Sequence, residues 1–295
     1  MKSIEKDKVS GLTFETQFGK PIAIFIQSNN IKKCIAYMKD YALESVIINS
    51  KLQNLNFLRE NTFITRVEIE TNIADCSALN FLHNLKTLMI HKSDKVVDFS
   101  NFPQLESLNL TWNENFINIE QCSSLRELTL WEYPKENLQF LESFPELEEL
   151  SLYDSKIHNL TGIEHCKKLS SITFRQNQYL ESIDFLETTS ETLTELVIEG
   201  SKKLSNYNPI GELINLKDLY LLKCGATQNV KFVENLNILD CGSFDIDISD
   251  GEVGALLERP IIFKNYKHFT HKNTLKFKMT SEGKFELTRS KKPSK

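Results

Sequence analysis

The chain has 295 residues, of which 40% are hydrophobic and 25% charged, a balance that builds a large globular core and excludes a disordered chain. No segment approaches the run of about 18 apolar residues that a membrane helix needs, and Met1 to Asp7 is polar and charged rather than a secretory leader, so the expected location is the cytoplasm. The net charge of −5 hides an asymmetry, because Lys264 to Lys295 carries ten Lys or Arg against two Glu and leaves 25 basic and 38 acidic residues upstream. A body this acidic repels phosphate backbones, which makes nucleic acid an unsuitable main ligand and favours a basic protein partner.

In chain order, residues 1–42 read as an amino-terminal cap. Pro21 to Ile26 forms an apolar strand, and Asn30 to Tyr41 an amphipathic helix with Ile31, Cys34, Ile35 and Met38 on one face. From Leu43 a phrase of the form L-x-x-L-x-L then recurs at a period of roughly 20 to 24 residues. The copies are L-E-S-V-I-I from Leu43, I-T-R-V-E-I from Ile64, L-K-T-L-M-I from Leu85, L-E-S-L-N-L from Leu105 and L-R-E-L-T-L from Leu125. There follow L-E-E-L-S-L from Leu147, L-S-S-I-T-F from Leu169, L-T-E-L-V-I from Leu193, L-K-D-L-Y-L from Leu216 and a worn copy, L-N-I-L-D-C, from Leu236.

The end of each phrase alternates apolar and polar. The fourth and sixth residues therefore face a core while the third, fifth and seventh face outward, the pattern of a short half-buried strand. The ninth place holds Asn72, Ser93, Asn113, Ser155, Asn177, Ser201 or Cys224, polar side chains suited to satisfying the backbone where the chain leaves the strand; Tyr133 and Phe244 break this ladder. Between strands, Ile157, Leu160 and Ile163, or Leu204, Tyr207 and Ile210, are spaced by three, with Leu138 and Leu141 a looser version, and this spacing predicts tight 3₁₀ or short helical turns. Residues 249–288 read as a carboxyl cap, with a short helix from Asp250 to Leu257, a strand at Pro260 to Phe263 and a hairpin from Thr274 to Thr288 around Glu282 and Gly283; residues 289–295 read as a disordered tail.

In phase and rhythm the ten copies resemble the leucine-rich repeats of bacterial internalins and of intracellular proteins of the short-repeat type. They do not resemble the secreted ubiquitin-ligase effectors, whose repeats are proline-marked and precede a catalytic cysteine domain. The resemblance covers about Leu43 to Phe244. It implies an α/β solenoid of about ten repeats over residues 43–248, with a parallel sheet lining the concave side and 3₁₀ or short helices on the convex side.

On such a fold the outward strand positions form a grid. Trp112, Trp131, Tyr153 and Arg175 are expected to form one row on it, with His91 and Glu70 before them and Glu199 after. Glu68, Glu127, Glu132, Glu149, Asp154, Glu195, Asp218 and Asp240 surround that row, against Arg66, Lys92 and Lys223, and Tyr220 completes the candidate surface. Exposed Trp, Tyr and Arg dominate protein interfaces; a mutually shielding ladder of cross-strand aromatics is the alternative. The expectation is a cytosolic monomer that acts by occupying a basic protein, as an immunity or inhibitor protein blocks a toxin, with no enzymatic activity, cofactor or metal. The alternatives are a surface adhesion module, or an RNA or acidic-surface binder using the basic carboxyl segment.

No nucleotide loop or catalytic signature occurs, and His268 and His271, three residues apart, have no carboxylate or cysteine beside them. Cys34, Cys76, Cys122, Cys166, Cys224 and Cys241 stand singly and read as reduced core residues, although an even count also suits a disulfide framework.

Overall fold

A computed structural model of the chain describes residues 2–249 and, beyond them, three strands. The strands and the one helix are β1 (Lys2–Lys6), β2 (Thr13–Gln17), β3 (Lys20–Phe25), α1 (Ile31–Tyr41), β4 (Ser45–Ile48), β5 (Arg66–Ile69), β6 (Thr87–Ile90), β7 (Val97–Asp98), β8 (Ser107–Thr111), β9 (Phe116–Ile117), β10 (Glu127–Trp131), β11 (Glu149–Tyr153), β12 (Ser171–Arg175), β13 (Glu195–Glu199), β14 (Asp218–Leu222), β15 (Cys241–Asp245), β16 (Ile261–Phe263), β17 (Leu275–Met279) and β18 (Phe285–Arg289). Fourteen of them form one sheet, ordered along the chain from β1 to β16 with only the small β7–β9 pair set apart. Pairing is antiparallel through β1, β2 and β3 and parallel from β3 onward.

The repeat phrase dictates this sheet. Each strand is four or five residues long in β4 to β6, β8 and β10 to β15, and its fourth and sixth phrase residues fall beside those of the next, as Leu128 does beside Leu108 and Leu150. Those side chains are fully buried along the whole stack. Between strands the chain makes short 3₁₀ turns, from Asn56–Glu60 to Lys231–Asn235. The apolar triplets spaced by three, Ile157, Leu160 and Ile163 among them, point from this side into the same core.

The ninth-position ladder holds in most repeats. Asn177, fully buried, accepts from the Ser155 N–H at 2.9 Å and donates to the Leu152 carbonyl at 3.0 Å, tying two successive turns of the stack together. The Cys224 thiol donates to the Ile198 carbonyl at 3.2 Å. Asn72 departs from the pattern by facing solvent while Ile73 takes the buried place, and the buried Ser201 hydroxyl has no partner. Tyr133 is a functional exchange rather than a gap: it is buried and packs against Trp112 and Phe140, so an aromatic cluster replaces the hydrogen bond.

The last copy must be re-registered. Leu219 pairs with Gly242 and Leu221 with Phe244, so the phrase is L-D-C-G-S-F from Leu239, not L-N-I-L-D-C from Leu236. Phe244 is its sixth, core-facing residue rather than a broken ninth, and Asp240 is its second residue rather than an outward strand position. The cause is Gly242, which stands where every other copy has a branched apolar residue and removes the marker that fixes the phase.

At the amino end, β3 and α1 form as the sequence predicts, with Cys34 and Met38 buried and Ile31 and Ile35 packed against the core. The β1–β2 hairpin is additional. All five β1 side chains are exposed, so the strand has no apolar alternation to reveal it, and its terminal lysines suit an unpaired sheet edge. At the carboxyl end, β16 continues the parallel sheet and β17 and β18 pair antiparallel. The helix expected from Asp250, His268, His271, the turn at Glu282 and Gly283, and the tail beyond Arg289 lie outside the described residues.

Candidate functional site on the strand-lined face

Strands stack at about 4.8 Å while helical turns need more room, so the sheet lines the inner side of the solenoid and its outward residues fall into three rows. Along the third-position row, β10 to β14 present Glu127, Glu149, Ser171, Glu195 and Asp218. Along the fifth lie Thr129, Ser151, Thr173, Val197 and Tyr220, and along the seventh Trp131, Tyr153, Arg175, Glu199 and Leu222.

The third row is an acidic line with two directly opposed like-charged pairs, Glu127 with Glu149 and Glu195 with Asp218. Among the described residues no Lys or Arg forms an ion pair with any of the four. Serine hydroxyls are the support they receive: Ser107 donates to Glu127 at 2.7 Å and Ser171 to Glu195 at 3.0 Å. Partial burial first, and then repulsion from Glu127 and Glu195, raises the Glu149 carboxyl above the ordinary carboxylate range. Burial and then Glu195 and Asp240 do the same to Asp218.

A carboxyl raised in the folded chain makes the folded state bind more protons, so its ionisation cost is present above its folded pKa and is relieved as pH falls. Replacing Glu149 by Gln is therefore expected to stabilise the chain at neutral pH by a few tenths of a kcal/mol, the usual scale of a like-charged cross-strand pair. That gain should shrink as pH drops through the ordinary carboxylate range, which urea melts of both proteins at pH 7 and pH 4 would register.

The seventh row begins with an aromatic pair. The rings of Trp131 and Tyr153 are stacked with centroids 4.1 Å apart at 12°, and the Trp131 indole N–H donates to Asn109 at 3.2 Å. Beyond them Arg175 lies 3.7 Å from Glu199, which also approaches Lys223 at 3.8 Å. On the other side Thr111 fills the row next to Trp131, and His91 shares a 3.2 Å hydrogen bond with it.

The eighth residues leave the strand through a left-handed backbone at Glu132 (φ 58°), Asp154 (φ 51°), Gln176 (φ 58°), Gly200 (φ 77°) and Lys223 (φ 52°). Their N–H groups donate to the seventh-position carbonyl of the next strand, as Glu132 does to Tyr153 at 2.9 Å and Asp154 to Arg175 at 3.0 Å. Glu132 and Asp154 are thereby turned out to an exposed rim above the aromatic pair.

Trp112 does not belong to this surface as expected. Its backbone lacks the left-handed turn, so strand alternation carries the eighth residue to the same side as Leu108 and Leu110. There it meets Tyr133 edge-on at 5.1 Å and packs on the core. The structure thus brings Trp131, Tyr153, Arg175, Glu199, Glu127, Glu149 and Tyr220 onto one wall, sets Glu132 and Asp154 on its rim and His91 beyond Thr111, and removes Trp112. Sequence reasoning passed over the small fifth-row residues, whose only signal is that they are unremarkable.

No family model and no curated protein matches the sequence. Among solved structures, an internalin (InlF) of Listeria monocytogenes superposes with a TM-score of 0.54 at 18% identity, covering 78% of this chain and 76% of that one. The functional domain of InlJ from the same organism gives 0.46 at 16% identity, over 82% and 68% of the two chains. A leucine-rich-repeat protein of Leptospira interrogans gives 0.37 at 16% identity, over 76% and 79%. The in-register parallel sheet, its 3₁₀ returns and the likeness to the first of these agree with the repeat phrase: the chain folds as a leucine-rich-repeat solenoid.

Proposed function

We propose that this chain is a protein-binding solenoid that holds a basic protein against its strand-lined face and acts by occupying it, in the manner of a cytoplasmic immunity or inhibitor protein that blocks a toxin or another enzyme. The observation that carries the reading is the acidic row, free of ion pairs among the described residues, on the same face as a stacked Trp–Tyr pair. Four carboxylates whose own charges oppose one another gain by meeting cations from outside, and aromatic rings that are half-exposed rather than buried supply the contact area that anchors interfaces. The four buried thiols do not offer an activated nucleophile: burial pushes Cys34 up to about 11 and Cys76, Cys122 and Cys166 up to about 12. Free in solution, the chain is a monomer in this reading.

The test is affinity capture from the native host with the intact chain, followed by titration of the recovered protein. A stoichiometric basic partner is expected, and the double reversal Glu149→Lys with Glu195→Lys should weaken it by about 100-fold or more, since misplaced like charges cost several kcal/mol. An acidic partner, or full affinity in the folded double variant, would overturn the reading.

A further inference from the structure

Resting on that reading, we propose that the segment of the partner seated on the wall is a basic amphipathic α-helix of about three turns, laid across the strands from β10 to β14. The third and seventh rows are four residues apart along each strand, about 13 Å at the strand rise. Between them Thr129, Ser151 and Thr173 make a floor of small side chains. A floor of small residues flanked by carboxylates on one side and the Trp131–Tyr153 pair on the other is a trough, and an α-helix, about 10 to 12 Å across, fills that width. Tyr220 closes one end, its hydroxyl donating to the Cys241 sulfur at 3.5 Å. On the aromatic flank Trp131 is held by its bond to Asn109 at 3.2 Å.

Backbone pairing and side-chain spacing both select a helix over an extended segment. The backbone groups of these strands are directed within the sheet toward their neighbours, so an extended peptide lying on this face gains no ladder, whereas a helix arrives with its own backbone satisfied. Spacing agrees as well. The acidic row advances by about 4.8 Å per strand, close to the roughly 5 to 6 Å separating helix side chains three or four residues apart, while same-side residues of an extended chain are about 6.7 Å apart. From β10 to β14 the row spans about 19 Å, or three to four helical turns. Lysine or arginine on one flank then meets Glu127, Glu149, Glu195 and Asp218, and the opposite flank rests on the aromatic pair.

Three synthetic peptides of equal composition test this against the full chain by calorimetry and circular dichroism: an Ala-rich helix with Lys along one flank and Leu along the other, the same residues with Lys scattered around the helix, and the flanked sequence with D-residues in its centre that break the helix. The flanked helix should bind about tenfold tighter than either control, with a gain of helical signal, and Glu149→Gln with Glu195→Gln should cost it about tenfold. Equal binding of all three peptides would overturn the helix. If none binds, yet the captured native partner is lost on the lysine reversal described above, the helix falls and the protein-binding reading stands. If native capture is also indifferent to the wall, both fall.

Discussion

Gly162→Ala is expected to cost about 3 kcal/mol or more of stability, the sum of a strained backbone and a steric overlap. Gly162 sits at φ 109°, where side chains other than hydrogen are rarely found. It opens the short turn Ile163–His165, and its N–H donates to the Glu164 carboxylate at 2.6 Å. A Cβ placed on it would lie 2.2 Å from the Leu138 carbonyl oxygen and 2.6 Å from the Gln139 nitrogen. Both belong to the backbone of the preceding repeat, so no side-chain rotation relieves the contact, and the Leu138 N–H bond to Thr161 at 2.8 Å would have to give way. Gly19 provides the control, because its φ of +73° carries the same kind of strain with nothing within 4 Å. Gly19→Ala should therefore cost only about 1 to 2 kcal/mol. Guanidinium melts of the two variants separate the terms; equal losses would show that the close approach of successive turns contributes nothing.

That close approach explains what the sequence reveals and what it conceals. A period that buries a Leu or its equivalent at fixed places is visible because every repeat must satisfy the same core, and Leu128, Leu150, Ile172 and Leu196 are in register for that reason. The charges and rings of the outward rows follow from the same phase, which is why Trp131, Tyr153, Arg175 and the acidic line could be placed by counting. Counting fails at strand ends. Whether the eighth residue turns outward depends on a left-handed backbone that Glu132, Asp154, Gln176 and Lys223 adopt without the glycine that would announce it. Trp112 lacks that backbone and packs, partly buried, on the core against Tyr133. At Gly242 the side chain that marks the phase is missing, and the neighbouring leucines offer a false register. The β1 strand is concealed for another reason: it buries none of its side chains, so its identity comes from pairing with β2 alone.

The assignment of the two tryptophans to opposite sides of the sheet has its sharpest consequence in binding. Trp131→Ala is expected to weaken capture of the partner by about 2 kcal/mol or more, roughly 30-fold, as the loss of a central aromatic anchor does, while its cost to chain stability is that of the ring stack and the Asn109 bond, about 1 to 3 kcal/mol. Tyr153→Ala should act on the same element. With the rings 4.1 Å apart and nearly parallel, each holds the other in place, so the double variant should lose less than the sum of the single losses by about 0.5 to 1.5 kcal/mol, the usual coupling of an aromatic pair. Trp112→Phe should do the reverse. It keeps an aromatic edge against Tyr133 and removes nothing from the wall, so affinity stays at the wild-type level while some stability is lost. Partner titrations followed by tryptophan fluorescence read both at once, since the Trp131→Ala protein retains only the partly buried indole of Trp112, packed edge-on against Tyr133. Additive losses at Trp131 and Tyr153 would dissolve the pair as a unit, and a loss of affinity in Trp112→Phe comparable to that in Trp131→Ala would move the binding surface off this face of the sheet.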